Sequence, residues 1–244
     1  MCETSIQNSD GKKIELRPQR GPNCGLYALS LTLNYLYEID IPATKGDVEG
    51  ASFSLRELFK NQKQTIIGEI YNAEKFADFI NNLDEFSPFD EREEGKKITC
   101  SCEDFSLGRI KEITESGGLC LVPFCVTPYG VSEENAGLPS DSGENAHWCL
   151  VHEYSEGGMK ACHWGGVYNF DAEKLKSSNA AIKDVPESYF GKANGKSMSY
   201  AQCATKTSEQ GLRGEPIKDG SIETIPAASL QTTLANKMIV FPRP

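Results

Sequence analysis

Residues 19–29 read QRGPNCGLYAL and place a cysteine where a tight turn leads into an amphipathic helix. Gly21 and Pro22 interrupt any preceding element, and leucines then recur at helical spacing at positions 26, 29, 33 and 36. The pattern predicts a helix over 24–37 with Cys24 at its start. The unpaired N–H groups and the positive dipole end of such a helix favour a thiolate, the reactive form of cysteine.

The same stretch offers a second candidate functional residue. Gln19 lies five residues before Cys24, where its amide and the Cys24 backbone N–H could together hold a developing oxyanion. The alternative is a buried structural cysteine, which is the ordinary state of an isolated cysteine. The glutamine, the Gly-Pro break, the small Gly25 and the amphipathic helix together favour a nucleophile.

Composition excludes several classes of function. The chain has 244 residues, 39% of them hydrophobic, so it can bury a full core as one domain. A net charge of -10 argues against nucleic-acid or anionic-membrane partners. The sequence has no apolar run of about 18 residues and no signal-peptide pattern at its start. Nine cysteines without framework spacing indicate a reducing cytoplasm, and no metal site or cofactor is expected.

The periodicity predicts an α+β fold, in which a helical N-terminal part packs on a β-rich C-terminal part. Helices are predicted over 55–59, from residue 72 to about 83, over 104–114 and over 171–177, and strands over 119–126, 147–154, 159–164, 167–170 and 237–241. Ser54, Asn72 and Asp171 are the predicted N-caps. One domain is expected to span 1–244, with a flexible N-terminus over 1–15 and exposed loops over 84–97 and 127–145.

A cysteine nucleophile needs a base, and the chain has three histidines. His147 opens an apolar strand directly after a loop, so its imidazole can face a cleft, and we expect it to be the base. His152, five residues along the same strand, is expected on the opposite face as a structural residue. His163 depends on the hairpin register. A two- or four-residue loop turns it away from His147, whereas a three- or five-residue loop makes it an auxiliary residue.

The group that would orient the His147 imidazole has two candidates. Asn169 and Asp171 lie on, or at the end of, the second strand after His147. Asp171 has a competing role as a helix N-cap, and Asn169 has the alternative of facing solvent.

The order of these features resembles the papain-like cysteine peptidase superfamily and, more narrowly, the actin maturation protease family. The resemblance lies in six blocks that follow one another along the chain: residues 19–29, then GE at 68–69, LVPF at 121–124, AHW at 146–148, FD at 170–171 and SN at 178–179. It implies a papain-like fold, with the helix that begins at Cys24 packed on an antiparallel sheet.

The resemblance also implies a function, because members of the family trim an N-acetylated Cys or Met from immature actin. Cys24 would be the nucleophile, His147 the general base and then acid, and Gln19 an oxyanion donor. Papain-like bacterial effectors use the same pair to deamidate or transamidate a protein glutamine, and a degenerate binding module is a third alternative. We expect a protein or peptide substrate, such as actin. The protein itself is expected to be a monomer in the cytoplasm, or in the host cytosol if it is a delivered effector.

Overall fold

The structure is a computed structural model that describes residues 3–8, 10–19, 23–62, 70–89, 97–127, 135–143, 145–156, 158–183, 190–193, 196–199 and 233–244. Five α-helices are present in these ranges: α1 (Cys24–Tyr37), α2 (Leu55–Asn61), α3 (Ala73–Asn81), α4 (Leu107–Glu115) and α5 (Ala172–Ala180), together with short 3₁₀ helices at Lys45–Asp47 and Leu83–Glu85. The strands there are β1 (Ser5–Gln7), β2 (Lys13–Glu15), β3 (Ser101–Asp104), β4 (Leu119–Cys125), β5 (Ala146–Ser155), β6 (Gly158–His163), β7 (Gly166–Phe170), β8 (Phe190–Ala193), β9 (Lys196–Ser199) and β10 (Lys237–Phe241).

The centre of the fold is a six-stranded antiparallel sheet in the order β3-β10-β4-β5-β6-β7. One face packs against α1, α2 and α3 through residues such as Leu29, Phe59 and Ile80. The other face packs against α4 and α5, which contribute Ile110 and Leu175. The α+β prediction is confirmed, and both faces of the sheet are covered by helices. Among the described residues, no helix has the length and apolar character needed to cross a membrane.

Helix α1 follows the predicted bounds because its leucines bury one continuous stripe. Leu26, Leu29 and Leu33 are fully buried against the sheet. The helix ends at Glu38, which adopts a left-handed conformation with φ of 58° and donates its backbone N–H to the Leu33 carbonyl. This helix therefore holds its first residue, Cys24, at a fixed place beside the sheet.

The predicted N-caps are confirmed in the three helices that carry them. The side chains of Ser54, Asn72 and Asp171 each accept a hydrogen bond from the backbone N–H three residues further along the chain. Each of these contacts is local in sequence, which is why the residue pattern alone indicates it.

Strand β4 is completed by side chains of α5. Strand β10 pairs with β4 only at residues 119–121, so the next residues of β4 need other hydrogen-bond partners. Ser178 Oγ accepts from the Cys125 N–H and donates to the Cys125 carbonyl, each at 2.9 Å. Asn179 Nδ2 donates to the carbonyls of Pro123 at 2.7 Å and Lys237 at 3.0 Å. These buried contacts fix the part of β4 that pairs with the start of β5.

Two predictions for irregular regions need correction. Residues 5–7 and 13–15, expected in a flexible terminus, form the β1–β2 hairpin. In the predicted exposed loop 84–97, Phe89 is buried. The loop 127–145 stays a prediction: its described residues form no helix or strand, apart from one isolated bridge between Val126 and Pro139. Residues 90–96, 128–134 and 144 of these loops, and the GE block at 68–69, lie outside the described residues. Strand β3 was missed, because its pairing partner β10 lies at the far end of the chain.

Candidate active site

Cys24 lies at the first residue of α1 and opens into a groove. The groove runs between α1, the segment 14–19 and the turn that joins β6 to β7, and its walls include Gln19, Trp148 and Trp164. The Cys24 side chain is half-buried and forms no disulfide. The structure thus brings the predicted nucleophile and the predicted oxyanion donor Gln19 to the same groove.

The ionisation of Cys24 differs from the expectation. Burial raises the pKa of this thiol to about 11, and the backbone amides of Trp148, Gly25 and Cys24 lower it by a smaller amount. The predicted preference for a thiolate is therefore wrong for this structure, since the loss of solvent outweighs the amides at the helix start. The resting side chain is a neutral thiol.

Trp148 connects the helix start to the sheet. Its backbone amide hydrogen-bonds to the Cys24 sulfur, and its indole Nε1 donates to the Ile70 carbonyl at 3.2 Å. Gly25 makes this approach possible, because a Cβ there would lie 2.9 Å from Ile70 Cγ1 and 3.3 Å from Trp148 Cδ1. The small residue after the cysteine is thus required by the close packing of α1 on β5.

His147 directly precedes Trp148, so the Cys24 sulfur lies beside the strand residue that follows the predicted base. His147 pairs with Phe124 across the sheet and is only 5% exposed. Its Nε2 is buried and has no hydrogen-bond partner among the described residues. Burial, and then the neighbouring His163, hold the pKa of His147 well below its ordinary value. At neutral pH its imidazole is uncharged.

A bulge in β5 decides where His163 points. The β5–β6 hairpin has a two-residue connection, which by simple alternation turns His163 away from His147. The bulge at His152 adds one residue to β5 and reverses the alternation. The ring centroids of His147 and His163 lie 5.1 Å apart. The expectation that such a hairpin separates them is therefore wrong, because it assumed an unbroken register.

Neither candidate for the orienting group is brought to His147 by the sheet register. Asn169 pairs with Lys160, and Lys160 pairs with Glu153, six residues beyond His147 on β5. At about 3.4 Å per residue this is a separation of roughly 20 Å along the strand. Asn169 is exposed, and Asp171 caps α5 through a 2.8 Å hydrogen bond. Both residues lie toward the other end of the sheet.

Sequence reasoning missed the aromatic surroundings of the two histidines. Phe124 contacts both rings, at centroid distances of 5.6 Å for His147 and 5.5 Å for His163. Trp164 also contacts both, and Tyr168 lies against His163 at 4.1 Å. The sequence signal was the density of aromatic residues at 163–170, but the register was needed to place them. Within the described ranges, no three His, Cys, Asp or Glu side chains are grouped to hold a metal ion.

The fold and site define an α+β protein in which a helix-borne cysteine meets an antiparallel sheet at Trp148, the residue that follows the buried His147. A family model for the actin maturation protease-like C-terminal domain matches residues 14–155, which is more than half of the chain. The chain therefore belongs to this family, and the resemblance drawn from its sequence blocks is confirmed. The family indicates a peptidase-related function. Comparisons with curated proteins and with solved structures give no match.

Proposed function

We propose that the protein is a cysteine peptidase of papain-like fold, with Cys24 as nucleophile and His147 as general base. The observation that carries the proposal is the position of the Cys24 sulfur. It lies at the start of α1, opens into the groove, and is hydrogen-bonded by the amide of the residue next to His147. Catalysis by a thiol requires a base within hydrogen-bond reach of the sulfur. We therefore propose that the His147 ring, which does not line the groove in this structure, turns toward Cys24 when substrate binds.

The reaction starts from a neutral pair, since burial raises the pKa of Cys24 and lowers that of His147. His147 takes the thiol proton as the sulfur attacks the carbonyl carbon of the scissile peptide bond. The tetrahedral intermediate then collapses, the C–N bond breaks, and the leaving amine receives the proton from His147. Water, deprotonated by the same imidazole, hydrolyses the thioester and releases the carboxylate product.

The negative oxygen of the tetrahedral intermediate needs preorganised donors. Gln19 lines the groove with Cys24, and the Cys24 backbone N–H lies at the unpaired start of α1. We assign the oxyanion to these two donors.

One wall of the groove is held firmly in place. The segment 14–19 forms one wall and is held against the β6–β7 turn, where a Cβ at Gly165 would lie 2.9 Å from Pro18 Cα. Arg17 fastens the same segment to Asp40 with a salt bridge of 2.8 Å. The family supports trimming of the N-acetylated terminus of a protein such as actin, and we propose that the protein acts as a monomer in the cytoplasm.

The proposal is tested with N-acetylated peptides that begin with Met or Cys followed by an actin-like acidic sequence. Purified protein, a Cys24→Ala variant and a Cys102→Ala variant are incubated with the peptides, and the products are read by mass spectrometry. Cys102 is a half-buried cysteine of β3, at the opposite edge of the sheet, and controls for the loss of a thiol elsewhere.

We expect the native protein and Cys102→Ala to remove the terminal residue, and Cys24→Ala to leave the peptide intact. Cleavage by Cys24→Ala would contradict the assignment of the nucleophile. A gain of about one mass unit at a glutamine, added to the peptide set, would identify a deamidase instead. Intact peptides with all three proteins would contradict the proposed actin-like substrate and favour a binding module without peptidase activity.

A further inference from the structure

The base of the proposed mechanism requires a group that fixes its tautomer. An imidazole that accepts a proton on one nitrogen must carry hydrogen on the other, and a neighbouring acceptor selects that form. Neither Asn169 nor Asp171 lies near His147 in the sheet register. The other imidazole in contact with His147 is that of His163.

Both histidines present buried nitrogens to their shared surroundings. His147 Nε2 and the two ring nitrogens of His163 are buried without a well-formed hydrogen bond among the described residues. The Gly137 carbonyl is near enough to His163 to raise its pKa, so it is a weak acceptor for one nitrogen of this ring and leaves the other for His147. His163 is 7% exposed. Buried polar atoms are rarely left without a hydrogen bond, since each unsatisfied atom costs about 1–3 kcal/mol. A hydrogen bond between the two imidazoles would satisfy a nitrogen of each ring.

Aromatic side chains pack against His163 and hold its ring in place. Its ring is tilted by 32° against Tyr168 with a centroid distance of 4.1 Å, and Phe170 lies at 5.7 Å. Gly137 in turn closes on Tyr168, because a Cβ at this left-handed position would lie 2.7 Å from Tyr168 Cε1. The His163 ring therefore has a fixed position, as an orienting group needs.

We propose that His163 is the positioning residue of His147: a nitrogen of His163 accepts a hydrogen bond from His147 Nε2–H. This leaves Nδ1 of His147 to take the proton of the Cys24 thiol. A small change of side-chain torsion converts the ring contact into the hydrogen bond, as catalytic contacts tighten when substrate binds. The catalytic role rests on the proposed function, whereas the pairing of the two imidazoles does not.

The pairing is tested by the nitrogen NMR signals of the imidazoles, which report the tautomer of each histidine. Three histidines make the assignment tractable. The variants are His163→Phe, which keeps an aromatic ring, and His163→Asn and His163→Gln, which keep an acceptor. His152→Phe removes a half-buried histidine at the β5 bulge and is the control. Thermal unfolding checks that each variant is folded.

We expect His147 to be the Nε2–H tautomer in the native protein, in His152→Phe and in at least one of the acceptor variants. His163→Phe should give a mixture of tautomers at His147. An unchanged His147 tautomer in His163→Phe would overturn the proposal, and so would a native His147 that carries hydrogen on Nδ1. If His163→Phe does not fold, loss of the single tautomer in both acceptor variants would overturn it as well.

Steady-state kinetics on the peptide substrate provide the second test. His163→Phe should lower kcat by about 10- to 100-fold with KM unchanged, and an acceptor variant should recover most of this loss. Equal kcat values for His163→Phe and the native protein would overturn the positioning role. If the native protein cleaves no peptide, the proposed function fails, while the NMR signals still decide whether the two imidazoles are paired.

Discussion

At the scale of single residues, the ionisation of Cys24 governs how the site can react. Because burial raises the pKa of the thiol to about 11, its thiolate fraction at neutral pH is smaller than that of an ordinary cysteine. We expect the rate of Cys24 alkylation by iodoacetamide to rise continuously from pH 6 to pH 10. Peptide mass spectrometry after timed exposure separates Cys24 from the other cysteines.

The alternative is a thiolate–imidazolium pair in the resting enzyme. Such a pair would give an alkylation rate that is already at its plateau near pH 6, and this result would contradict the neutral pair. Cys102, half-buried on β3, provides the internal reference, because burial also raises its pKa while no histidine-bearing strand adjoins it in the sheet order.

Gln19 is the second residue whose role can be measured directly. If its amide holds the oxyanion, Gln19→Ala should reduce kcat by about 10²- to 10³-fold with little change in KM. Steady-state kinetics on the peptide substrate provides the measurement. Gln7→Ala, at an exposed position of β1, is the matched control. A raised KM with unchanged kcat in Gln19→Ala would instead show that Gln19 binds the ground state and the transition state equally.

At the scale of elements, α5 supports the site through β4. Ser178 Oγ is buried and exchanges two hydrogen bonds with the backbone of Cys125. Ser178→Ala removes the Ser178 partner of the buried Cys125 N–H, while the Cys125 carbonyl keeps the Ser140 N–H at 2.8 Å. We therefore expect a loss of about 1–3 kcal/mol in the free energy of unfolding, measured with urea. Ser177→Ala is exposed and should stay within about 0.5 kcal/mol. Equal stabilities of the two variants would refute this role of α5.

The elements also show which features a sequence can indicate. The helix at Cys24 and the caps Ser54, Asn72 and Asp171 were predicted correctly, because each depends on residues within one or two turns. The bulge at His152 was not, because nothing local marks it and the register of β6 decides it. This one inserted residue brings His163 to the same face of the sheet as His147.

At the scale of the whole molecule, the sheet is assembled from distant parts of the chain. β3 comes from the middle, β10 from the last ten residues, and the two pair along their length. The apolar run at 237–241 predicted the strand β10, but the sequence did not indicate which strands pair with it. The hydrophobic pattern fixes which residues are buried, whereas strand order depends on long-range pairing that a single sequence does not encode locally.

The whole molecule should also be sensitive to mild acid, because its histidines are held neutral. Burial lowers the pKa of His152 to about 4 and that of His163 to about 3, and His147 shifts in the same direction. The unfolded chain then binds more protons than the folded one below about pH 6.5, so stability is complete above this pH and falls as the pH is lowered.

His152 and His163 should each remove on the order of 2 kcal/mol of unfolding free energy between pH 7 and pH 5, a range in which few carboxylates titrate, and His147 should act in the same direction. Urea unfolding at half-unit pH steps measures the slope. His152→Gln should flatten it by about one third, since one of three neutral imidazoles is then absent. An unfolding free energy that stays constant from pH 7 to pH 5 would show that the histidines take up protons in the folded protein as they do in the unfolded chain, and the neutral Cys24–His147 pair would fall with it.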